Sequence, residues 1–103
     1  KISFRLPYNM TLNAGSAGIT GSLVTAGTGA ALLTVDINES GSTILSTKLT
    51  FDATETTTTT STTPVVISDL SLAADSIITI DVDTLDTGLV AAGLKISLIG
   101  SVT

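Results

Sequence analysis

Apolar and polar residues alternate with a period of two in several short runs of this chain, the pattern of half-buried strands. Ile2, Phe4 and Leu6 share one face of the first run, and Pro7 ends it because proline cannot donate to a ladder. Tyr8, Met10 and Leu12 resume the alternation. Asn13 to Gly21 is rich in small residues and reads as a loop or a loosely held edge, followed by a short strand at Ser22 to Thr25. Ala31 to Asn38 alternates strongly, with Leu33, Val35 and Ile37 against Thr34, Asp36 and Asn38. Glu39 to Ser42 reads as a turn with Gly41 free to take a positive φ, and Thr43 to Phe51 as the returning strand. In that return Ile44 and Leu45 are adjacent and point to opposite faces, so one needs a bulge or a second partner surface. Phe4 and Phe51, both within apolar alternations, are expected in the core.

The run Thr54 to Thr63 is almost all threonine and reads as an extended edge or loop, methyls inward and hydroxyls outward. Val65 to Ile67 gives a short strand, and Ser68 to Asp75 a connection whose Leu70 and Leu72 plug one end of the core. The pattern is cleanest at the end. Ile78, Ile80 and Val82 alternate with Thr79, Asp81 and Asp83, and Leu94, Ile96 and Leu98 with Lys95 and Ser97. A closing hairpin would pair Ile78 with Leu98, Ile80 with Ile96 and Val82 with Leu94. It would also set Asp81 beside Lys95, and a one-residue slip would destroy both matches. The core is therefore expected to be built on this hairpin. In all, about eight short strands separated by turns predict an all-β, antiparallel, jelly-roll-like sandwich, with residues 1–103 as one domain.

Composition strengthens the β reading. Threonine occurs 20 times and serine 12 times, while the strong helix formers are scarce. A chain of 103 residues can bury roughly two thirds of its unfolded surface, enough for a thin core. Charged residues make up 13% of the chain and the mean hydropathy is +0.58. No apolar run approaches the ~20 residues of a membrane span. The apolar excess is therefore expected at a subunit interface. Leu32, Ile44, Ile77 and Ile99 stand on the wrong face for a single core and are the interface candidates. The net charge of −5, with only four basic residues, argues against nucleic acid and against anionic membrane surfaces. Lys1 opens directly into a strand pattern without an initiator methionine, so a processed chain or part of a longer one is expected.

The candidate chemistry is sparse. The absence of histidine and cysteine removes Ser-His-Asp and Cys-His catalysis and ordinary zinc sites. Lys48 and Lys95 read as solvated or cross-strand charges. Asp81 and Asp83 share one strand face on a domain too small for a deep cleft, so a glycosidase pair is disfavoured and no enzymatic activity is expected. Asp81, Asp83 and Asp86 cluster near one strand end, and Asp36, Asn38 and Glu39 near another. Oxygen ligands there would suit calcium, but neither spacing is that of an EF-hand, and solvated loops are the preferred reading. No cofactor is expected. There is no tryptophan, and Tyr8 is the one plausible stacking residue for a sugar; with Asp81, Asp83 and Asp86 it makes the set of candidate ligand contacts.

Three segments carry a family resemblance. They are Phe4-Arg5-Leu6-Pro7-Tyr8 with Met10-Thr11-Leu12, then Thr34-Val35-Asp36-Ile37-Asn38 leading into Ser42 to Thr50, and the tail Gly93 to Gly100. Together they resemble a small β-sandwich module of tailed-bacteriophage virion proteins, found in head-fibre, decoration and tail-fibre polypeptides. The resemblance implies a homotrimeric structural module on the virion surface, whose partners are its own copies and other virion proteins. The alternative is a receptor-binding tip that recognises a host surface glycan or protein. A non-viral extracellular adhesion domain is the third reading.

Overall fold

The computed structural model describes residues 2–27, 33–84 and 92–103, and they form an all-β protein. The strands are β1 (Ile2–Arg5), β2 (Met10–Leu12), β3 (Ile19–Ser22), β4 (Leu33–Glu39), β5 (Ser42–Thr43) and β6 (Leu45–Thr47). They continue with β7 (Leu49–Phe51), β8 (Val66–Ile67), β9 (Ser71–Leu72), β10 (Ile77–Thr84), β11 (Lys95–Leu98) and β12 (Gly100–Val102). Several expected strands are divided. The run from Thr43 to Phe51 breaks at Ile44 and at Lys48, and the tail breaks at Ile99. A 3₁₀ turn at Gly15–Ala17 and strand β3, whose one partner strand among the described residues is β11, occupy the stretch expected to be a loop or a loosely held edge, so the short strand lies earlier than Ser22 to Thr25.

The central sheet runs β1-β10-β4-β5, and β7 also pairs with β4. All of its pairings are antiparallel. The smaller sheets are β12-β2-β9, β11-β3 and β6-β8. Leu33, Val35 and Ile37 of β4 are buried, as are Ile78 of β10 and Leu49 and Phe51 of β7. One hydrophobic cluster joins them to Leu12, Ile19, Leu45, Val65 and Leu72 from the other sheets and loops. This is the arrangement of a sandwich, with the core between a broad sheet and several short ones.

The closing hairpin does not form. β10 inserts between β1 and β4 instead, with Ile80 opposite both Ile2 and Ile37, Ile78 opposite Phe4, and Val82 opposite Val35. β11 pairs with β3, so Ile96 faces Gly21 and Lys95 faces Ser22. The physical reason is degeneracy. Every strand here carries the same alternation, and β4 and β1 present apolar faces that match β10 as well as β11 does.

Local chemistry explains the tight points. Glu39 and Ser42 pair across a two-residue turn in which Ser40 and Gly41 have φ of 49° and 89°. Positive φ at both central positions is the geometry that matches hairpin twist, and glycine accepts it without strain. At Gly21 the need is for space. A Cβ there would lie 2.8 Å from the Phe51 ring and 3.2 Å from the Thr58 methyl. Thr58 is itself buried, contrary to the picture of hydroxyls facing water. Its Oγ1 accepts from the Gly21 N–H at 2.9 Å, and its own N–H donates to the Gly21 carbonyl. The threonine-rich run is thus tied to β3 by its one deeply buried side chain, among the described residues.

Candidate functional site

The central sheet presents two candidate surfaces: its polar outer face and one exposed corner of its inner face. The outer face follows from register. The pairing of β1, β10, β4 and β5 lines up Ser3, Thr79, Asn38 and Thr43 in one polar row across four strands. One step along, Asp81 stands opposite Asp36. Two like charges in a cross-strand pair are destabilising on their own. Neighbours compensate them. Asp36 Oδ1 accepts from the Ile37 N–H and from the Thr43 hydroxyl, and the Asn38 amide donates to Asp81 Oδ2 at 3.2 Å. Lys48 reaches across to Asp83, which lies where the β10–β4 register shifts. The hydrogen bond to Asp83 holds the Lys48 ammonium above its ordinary value of 10.5, aided by the charges of Asp83 and Asp36 and opposed by desolvation.

The two acidic clusters of the sequence, expected at separate strand ends, therefore meet at Asp36 and Asp81. Asp81 faces Asp36, and Lys95 lies on a different sheet. Glu39 turns away from this face to accept from the Ala73 N–H at 2.8 Å. Among the described residues no group of three or more acidic, histidine or cysteine side chains is placed to hold a metal ion. Asp86 lies outside the described residues. Tyr8 is 48% exposed in the connection between β1 and β2. It follows Arg5, which pairs with Ile77 at the start of β10, whereas Asp81 and Asp83 lie toward that strand's other end. The structure does not gather Tyr8 and these acids into one groove.

The uncovered corner is apolar. Ile2, Phe4, Ile78, Ile80 and Val82 share the inner face of the sheet with Val35 and Ile37. Burial falls away along it. Leu6 and Ile78 are buried, Ile80 is half-buried, and Phe4, Val82 and Ile2 are 39%, 40% and 63% exposed. Phe4 is thus not a core residue, unlike Phe51. Among the described residues β1 is also the edge strand of the sheet. In an antiparallel ladder alternate residues point their backbone groups inward and outward, so half of the β1 amides and carbonyls face the open edge. Arg5 guards one end of that edge, its guanidinium bonded to the Asp75 carbonyl at 3.0 Å and 3.5 Å from the Asp75 carboxylate.

The four interface candidates separate. Ile44 is 1% exposed and belongs to the core. It sits in the break between β5 and β6, where its N–H donates to Ile37 and its carbonyl accepts from Ser68 and Asp69. That break turns the chain and lets Ile44 and Leu45 both face inward, so the irregularity that their adjacency called for is present and Ile44 packs in the core rather than at an interface. Ile77 and Ile99 are exposed, each by 42%, the first on the outer face of β10 and the second between β11 and β12. Leu32 lies outside the described residues. The corner at Ile2, Phe4 and Val82 escaped the sequence reading because these residues alternate correctly for a core. Only the extent of the covering sheets, among the described residues, reveals their exposure.

No family model matches the chain, and no curated protein or solved structure matches it either.

Proposed function

We propose that the chain is a non-enzymatic structural module on the surface of a bacteriophage particle, a head fibre or capsid decoration, whose copies associate as a trimer. The observation that carries the self-association is the corner of Ile2, Phe4 and Val82, apolar, exposed and bordered by an open strand edge. Apolar surface of that kind is stabilised by association, and an open edge is protected by it. These three side chains alone fall short of the ~800 Å² per partner that a stable interface buries. Neighbouring copies therefore also draw on other exposed apolar residues, among which are Val66, Ile77, Ile99 and Val102. The placement on a virion and the threefold order rest on the resemblance of the three strand-bearing segments. The polar outer face supports the same reading, because its acids are engaged by Thr43, Asn38 and Lys48. Its partners are then its own copies and other virion proteins. The test is the solution mass of the purified chain by light scattering across a dilution series. A mass of three chains that persists on dilution supports the proposal, and a monomer at high concentration overturns it.

A further inference from the structure

We draw no further inference here: the strongest candidate, the uncovered corner of the central sheet where Ile2, Phe4 and Val82 flank the open edge of β1, belongs to the reading already proposed, and nothing in the structure shows which surface of a neighbouring copy covers it.

Discussion

Strands β4 and β1 carry the same alternation and turn their apolar residues to the same face of the same sheet, yet they meet different fates. Leu33, Val35 and Ile37 of β4 are at most 5% exposed, while Phe4 and Ile2 of β1 are 39% and 63% exposed. β4 has β10 on one side and β5 and β7 on the other, and the short sheets lie over it. Among the described residues β1 has one neighbour and an open edge. Alternation tells which face a side chain takes. It does not tell how much of the opposite layer reaches over that side chain, and here that extent separates core from candidate association surface.

Substitutions on the two strands test the contrast directly. The largest effect is expected at the covered end. Ile37→Ala empties a fully buried position and should cost about 2–5 kcal/mol in denaturant unfolding. The tie between the threonine run and β3 comes next. Thr58→Val keeps the shape but leaves the Gly21 N–H without its acceptor, a loss of about 1–3 kcal/mol. Phe4→Ala is the matched truncation on β1. In dilute protein, where copies are apart, it should cost no more than about 1–2 kcal/mol, because part of the ring is already in water. If it cost as much as Ile37→Ala, the distinction between the two strands would disappear.

The smallest effect belongs to the outer face. The Lys48 ammonium is held above 10.5 in the folded chain, chiefly by its hydrogen bond to Asp83. A raised folded value means that the contribution is fully present below 10.5 and is lost as pH rises through the folded value. The side chain is exposed, so the gain is small and shrinks with salt. Melting temperatures of the parent and of Lys48→Met, compared from neutral to strongly alkaline pH, should converge at the alkaline end. A gap that stays constant through the titration of Lys48 would remove the ion pair from the account.

Much of the strand inventory was legible in the chain, and little of the pairing was. The Leu33–Ile37 alternation and the turn at Gly41 each follow from residues within a few positions of one another, and the structure has both. The partners of β10 do not, because its apolar face fits β11, β1 and β4 about equally well and sequence proximity favours the wrong choice. The meeting of Asp36 with Asp81 was hidden for the same reason. Adjacent Ile44 and Leu45 call for either a bulge or a second partner surface, and nothing nearby in the chain chooses between them; the break at Ile44 puts both in the core. Thr58 is hidden in another way. Nothing within a run of identical threonines marks the one whose hydroxyl meets Gly21.

The most direct test of the central claim, that the uncovered corner serves association rather than folding, compares the solution mass of the parent with that of Phe4→Thr and Val82→Thr combined. Threonine keeps strand preference and removes most of the apolar surface. The expected result is a trimeric parent and a monomeric variant, with the variant still folding cooperatively when dilute. A parent that is already monomeric, or a variant that stays trimeric, would contradict it.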